Sequence, residues 1–152
     1  AAAFRRHLTR VNGQQAFLVV GAGDARGGNE IVLTARAVRE IQLATGSIKA
    51  AITLSCRHLG LAVRDLEGVL LAGAFGNFVR KSSARRIGLA PAIDPERVHL
   101  VGNAAGVGAR MALLDRDVRR RARQLAERAE YVDLATREDY QDTFMDSLTF
   151  PA

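Results

Sequence analysis

Two apolar runs in this chain each lead straight into a glycine-rich turn. The first is Val69-Leu70-Leu71-Ala72-Gly73-Ala74-Phe75-Gly76-Asn77. The second is Val98-His99-Leu100-Val101-Gly102-Asn103-Ala104-Ala105-Gly106-Val107-Gly108-Ala109. A glycine at the carboxyl end of a buried strand lets a ligand approach the backbone closely. The helix that follows presents N–H groups outside its own ladder and the positive end of its dipole. Two such units in succession suit a nucleotide or another phosphorylated ligand. The alternative is purely structural, because a tight turn needs glycine for backbone reasons alone.

Other phosphate motifs fit less well. No glycine-rich stretch ends in Gly-Lys-Ser/Thr, so this is not a P-loop. The position that a dinucleotide fingerprint fills with a second glycine is Ala104. The spacing Gly102-x-x-x-Gly106-x-Gly108 is similar to the cofactor turn of short-chain dehydrogenases. That family carries the turn near its N-terminus and pairs it with Tyr-x-x-x-Lys. Here the turn lies late, and four residues after Tyr131 and Tyr140 stand Ala135 and Phe144. An NAD(P)-binding dehydrogenase is therefore a distant third reading.

These turns need an α/β framework, and the rest of the chain supplies one. Ala16–Val20 and Ile31–Leu33 read as short strands on either side of a turn-forming loop at 21–30. Thr34 is placed to cap a helix through Val38, Ile41, Gln42 and Ala44. Gly46-Ser47 is expected to interrupt it, with a second helix from Ile48 to Leu59 stopped by Gly60. A short helix at Ser82–Ile87 is stopped by Gly88, and Pro91 and Pro95 mark a loop before the second glycine unit. The helix after Gly102 runs to about Leu114. Asp115 or Asp117 starts an arginine-rich helix ending near Ala129. Tyr131–Leu134 is expected to be a last strand and Arg137–Ser147 a closing helix. Residues 1–15, polar and basic, read as the tail of an upstream segment, leaving 16–152 as the folded part. Strands alternating with helices imply crossover connections.

Composition bounds the function. The chain has 152 residues, 48 % of them hydrophobic, which is enough for one domain's core. No apolar run approaches a membrane span or a signal peptide, so a cytoplasmic protein without membrane contact is expected. One cysteine, Cys56, rules out an internal disulfide framework and argues for a buried, inert thiol. The three scattered histidines offer no zinc site. The net charge is +6, carried almost wholly by arginine, since Lys49 and Lys81 are the only lysines. With 5 % aromatics and no tryptophan, a base-stacking platform for single strands has little support, and nucleic acid is a poor candidate partner. Arg119, Arg120, Arg121 and Arg123 form a basic helix face, either solvated or facing an acidic partner.

Three stretches carry a family resemblance. Thr34 to Ile52, with its Arg39-Glu40-Ile41-Gln42-Leu43-Ala44 core, is one. Leu71-Ala72-Gly73-Ala74-Phe75-Gly76-Asn77, followed by Ser83-Ala84-x-x-Ile87-Gly88-Leu89-x-Pro91, is another. Val101-Gly102-Asn103-Ala104-Ala105-Gly106-x-Gly108-Ala109 is the third. Together with Tyr131-Val132-x-Leu134 and Phe144-Met145 they resemble the C-terminal domain of the reductive activators of corrinoid-dependent methyltransferases, over roughly residues 15 to 150. The resemblance implies an RNase H-like second lobe of the actin, Hsp70 and sugar kinase type, a mixed sheet with flanking helices. It implies a protein that uses ATP with magnesium to return an inactive Co(II) corrinoid to Co(I). A [2Fe-2S] cluster would belong to an upstream domain, and so would the phosphate motifs and their catalytic carboxylate. The chain then reads as a C-terminal piece with no complete catalytic site, whose partner is a corrinoid protein or a corrinoid-dependent methyltransferase; a homodimer is left open.

On that resemblance Val69–Gly76 matches the adenosine motif and Gly102–Ala109 the second connecting motif. Gly73-Ala74 has one glycine where the adenosine motif usually pairs two. Lys49 is placed to reach ribose or phosphate, or else its stem covers apolar surface. Glu40 and Gln42 can bond adenine or ribose, or be ordinary helix-face polarity. Phe75 can stack on a base or sit in the core. Asn77 can contact ligand or brace its turn, and Asn103 is better suited to capping. Asp24 reads as a turn aspartate. A reading from another class remains: a non-catalytic interaction or oligomerisation module of the same fold that has lost nucleotide binding.

Overall fold

The structure, a computed structural model, describes residues 2–73 and 79–151. It forms two units, Ala1–Ala44 and Thr45–Ala152. The first unit opens with a one-turn helix, α1 (Ala2–Arg5), and three strands: β1 (Leu8–Val11), β2 (Gln14–Val20) and β3 (Ile31–Thr34). They make an antiparallel sheet in the order β1-β2-β3. β1 and β2 are joined by Asn12-Gly13, with φ of 50° and 77°. Two left-handed residues make the type I′ turn, whose twist matches that of the strands it joins. Residues 8–15 are therefore a hairpin strand and its turn, where a polar tail was expected. The His7 ring stacks on Phe17 with centroids 5.3 Å apart, and its Nδ1 lies 3.2 Å from the Leu18 carbonyl.

Helix α2 (Ala35–His58) begins as the sequence predicts. The Thr34 hydroxyl accepts from the Ala37 N–H at 3.1 Å. The helix does not break at Gly46-Ser47. A Cβ on Gly46 would lie 3.0 Å from Leu148 Cδ2 and 3.3 Å from the Ser147 carbonyl. Glycine is there so that the C-terminal segment can pack against the helix, and that packing offsets a propensity cost of about 1 kcal/mol. The helix ends at Gly60 (φ 70°). The Gly60 N–H bonds Arg57 O at 3.0 Å and the Leu61 N–H bonds Cys56 O at 2.8 Å, the two bonds of a Schellman cap.

In the second unit β4 (Val69–Ala72) and β5 (Val98–Gly102) pair in parallel. The crossover between them contains α3 (Lys81–Arg86), closed by Gly88 (φ 78°), and a 3-10 turn at Pro95–Arg97 that Asp94 caps. The core here is Ala84, Ala90, Ile93 and Val98, with Val69, Leu71, Val79 and Leu89 packed on it. Ala50, Leu54 and Cys56 of α2 are buried as well, so the thiol is inside as expected. Then come α4 (Ala104–Leu114), α5 (Arg116–Arg128) and α6 (Tyr140–Ser147).

Tyr131–Leu134 is not a strand. The Asp133 carboxylate accepts from the Ala135 N–H at 3.1 Å and so turns the chain, and Tyr131 is 87 % exposed. The last helix starts at Tyr140 and not near Arg137. Arg137 is instead forked onto Asp139, Nε to Oδ1 at 2.9 Å and Nη2 to Oδ2 at 3.2 Å. No helix among the described residues is long and apolar enough to cross a membrane.

Candidate functional site

Gly73 and Gly102, the first glycines of the two turns, meet at the carboxyl ends of β4 and β5. The pairing runs Val69 with Val98, Leu70 with His99 and Leu71 with Leu100, then jumps so that Ala72 faces Gly102. Val101 is thus an extra residue on β5, a bulge of the kind that re-aims a strand end. It brings the Gly102 carbonyl to 2.6 Å from the Gly73 N–H. Both glycines are left-handed, with φ of 93° at Gly73 and 57° at Gly102. An L-residue pays roughly 1–2 kcal/mol for that conformation. Among the described residues nothing lies within 4 Å of where a Gly73 Cβ would be. The backbone at Gly73 is thus open among the described residues.

The second turn leads directly into α4. Asn103 is its N-cap, and Oδ1 accepts from the Gly106 N–H at 2.9 Å. A Cβ on Gly106 would come within 2.7 Å of the Asn103 amide nitrogen. Gly106 therefore has a local reason to be glycine: it makes room for the cap. Gly108 shows no such reason among the described residues, since its Cβ position is open to 4 Å there and its φ is ordinary.

The other nominated residues are placed as follows. Ala74, Phe75, Gly76 and Asn77 lie outside the described residues. Glu40 and Gln42 lie on the part of α2 in the first unit, while the glycine turns belong to the second. Glu40 is exposed and 3.9 Å from Arg36 one turn earlier. Lys49 does something the sequence did not suggest. Its ammonium donates to the carbonyls of Ser147 at 3.2 Å and Thr149 at 3.1 Å. It holds the carbonyl that ends α6, where a cation also complements the helix dipole, and one two residues beyond it. The Lys49 stem in turn leaves no room for a Cβ on Gly88, which would sit 2.9 Å from Cδ. Asp24 lies in the loop between β2 and β3.

Among the described residues the clear electrostatic perturbation is at Arg137 and Asp139, neither of them a nominated residue. The hydrogen bond from Arg137 holds Asp139 below the usual carboxylate range, and Asp139 raises Arg137 in return. Among the described residues no cluster of three His, Cys, Asp or Glu side chains is gathered for a metal. An apolar groove of about 370 Å³, lined by Ile52, Cys56, Leu59, Leu61 and Val69 among others, lies at the opposite end of β4 from Gly73. None of the nominated residues lines it.

Known proteins match nearly the whole chain. The model of the C-terminal domain of RACo, the ASKHA domain, matches residues 2–152. The corrinoid activation enzyme RamQ of Eubacterium limosum is 34% identical over 139 residues, 91% of this chain and 23% of its own length. The Co(II) methylated amine-specific corrinoid protein reductase of Methanosarcina barkeri is 29% identical over 137 residues, 88% of this chain and 24% of its own. Among solved structures, a reductive activator for corrinoid, iron-sulfur protein superimposes with a TM-score of 0.86 at 25% identity, over 97% of this chain and 23% of that one. The chain thus spans about a quarter of the length of the curated relatives it matches.

Proposed function

Since the chain belongs to the family of the C-terminal ASKHA domain of RACo, we propose that it serves a cytoplasmic reductive activator that returns a Co(II) corrinoid protein to Co(I), and that it forms the adenosine side of that activator's ATP cleft. The observation that carries this is the meeting of the two glycines that open the turns. Gly73 and Gly102 are left-handed, adjacent and hydrogen-bonded at the ends of neighbouring parallel strands. In open α/β sheets, ligands bind at the carboxyl ends of the strands. The open backbone at Gly73 and at Gly108 fits a flat base or a ribose lying against it.

In this reading Gly73 and Gly102 shape the wall, and Ala74, Phe75, Gly76 and Asn77 are assigned as candidate contacts to the same ligand. Asn103 and Gly106 fix where α4 starts, and Gly108 keeps its first turns accessible. Lys49 acts at one remove, by holding the C-terminal segment. No residue of this chain is assigned to the magnesium that accompanies ATP or to an iron-sulfur cluster. ATP would act by favouring one arrangement of the activator over another, which requires unequal affinity for the two.

The test is calorimetric titration of the full-length protein with ATP, wild type beside Gly108→Leu. The substitution meets no atom of the described residues at Cβ, so a fall in affinity with a melting temperature that does not fall reports on the ligand. Equal affinity in both, or no heat in either, removes the reading.

One observation favours the alternative of a non-catalytic docking module. Of the polar side chains nominated for nucleotide, Lys49 and Asn103 are already engaged by protein backbone. Absence of ATP binding with retained binding to the corrinoid protein is the result that selects it.

A further inference from the structure

Helices α4 and α5 make a corner whose angle is fixed from both sides. The Asp115 carboxylate accepts from the N–H groups of Asp117 and Val118 at 2.7 and 3.4 Å, capping α5. Arg119 reaches back and donates to the carbonyls of Ala112 at 2.9 Å and Leu113 at 3.2 Å, capping α4. The corner is pre-organised, yet neither helix contains a buried residue.

Its outer face is chemically mixed. Arg116, Arg119, Arg120, Arg123, Gln124 and Glu127 line a shallow concavity of about 410 Å³. Arg120 is paired with Asp117 at 2.7 Å. Arg116, Arg121, Arg123 and Arg128 have no ion pair among the described residues. Arg116, Arg120 and Arg123 recur at three- and four-residue spacing, where like charges destabilise a helix. At the same corner, where Arg119 bonds the Leu113 carbonyl, Leu113 and Leu114 are 75% and 80% exposed. Arginines flanking exposed leucines are the ingredients of a protein interface: guanidinium forks for carboxylates and apolar anchors for its centre. A polyphosphate would want neither the leucines nor Asp117 and Glu127 on the same helix.

We propose that this corner docks an acidic protein face, and, resting on the reading above, that the face belongs to the corrinoid protein. Arg116 and Arg123, without an ion pair among the described residues, are its guanidinium donors, and Leu113 and Leu114 its apolar anchors. Arg119 is a positioning residue, since its donors hold the corner.

The experiment measures binding of the full-length protein to the Co(II) corrinoid protein of the same organism, at low and high salt, with a short duplex DNA as a parallel probe. Wild type is compared with R116E/R123E and with the milder R116Q/R123Q, each checked for unchanged ATP affinity and melting temperature. The expected result is a loss of about tenfold or more in affinity for the charge reversal, a smaller loss for the neutral pair, and a flatter salt dependence in both. Wild-type affinity in both variants overturns the docking surface and leaves the ATP reading standing. Preference for DNA over the corrinoid protein also overturns it. A wild type that binds ATP but no corrinoid protein overturns the proposed function together with the surface.

Discussion

The Gly73 N–H donates to the Gly102 carbonyl at 2.6 Å, across the ends of two parallel strands. The bond exists because Val101 is an extra residue on β5, which advances Gly102 to face Ala72. Gly73 and Gly102, separated in sequence by a full crossover, are thereby joined. Each glycine holds a left-handed conformation that a side chain would resist.

Gly102→Ala tests that constraint. At φ 57° the added Cβ is strained wherever its neighbours are. The variant should lose about 1–2 kcal/mol in urea unfolding. Unchanged stability would mean that the left-handed turn is not held in the folded protein.

Gly108→Ala should do the reverse. It lies inside α4 with an ordinary φ and an open Cβ position. Removing the conformational freedom of an interior glycine should stabilise by up to about 1 kcal/mol. If stability rises while ATP affinity falls, the glycine is kept for the ligand.

The strands ending at Gly73 and Gly102, and the helix that starts after Asn103, were legible in the sequence, because an apolar run ending in glycine is a local signal. The caps at Thr34, Asn103, Gly60 and Gly88 were legible for the same reason: they are local chemistry. Gly46 was misread because an interior glycine looks like a break when its partner, Leu148, is a hundred residues away. The β1–β2 hairpin carried a readable signal, Asn12-Gly13, hidden by the arginines around Leu8 and Val11. Tyr131–Leu134 has strand residues but neither sheet takes it up. Lys49 and the Ser147 carbonyl are likewise distant in sequence, and a lysine's partners are not written in its neighbours.

Lys49→Met should weaken the C-terminal segment. It removes two charge-assisted hydrogen bonds to Ser147 and Thr149 in a half-buried setting. A loss of about 1–2 kcal/mol is expected, with faster amide exchange in α6. ATP affinity should hardly move. A tenfold loss of ATP affinity at unchanged stability would instead make Lys49 a direct contact.

Asp139 gives a pH prediction with a definite sign. Its carboxyl is held below the ordinary value, first by the Arg137 hydrogen bond. A group depressed in the folded state contributes stability that is complete above its unfolded value of about 3.9 and is lost as pH falls through the lower folded one. Asp139→Asn should therefore flatten the acid limb of the stability profile below about pH 4 and leave the neutral region parallel to wild type. An unaltered acid limb would show that the fork does not persist in solution.

The most direct test of the account is where adenine sits. Photolabelling the full-length protein with 8-azido-ATP, followed by trypsin, should place the adduct on the peptide 65–80 or on 98–110, which carry the two turns. Excess ATP should abolish the label and Gly108→Leu should weaken it. ATP-protected labelling confined to other peptides would contradict the assignment of this chain to the adenosine side of the cleft.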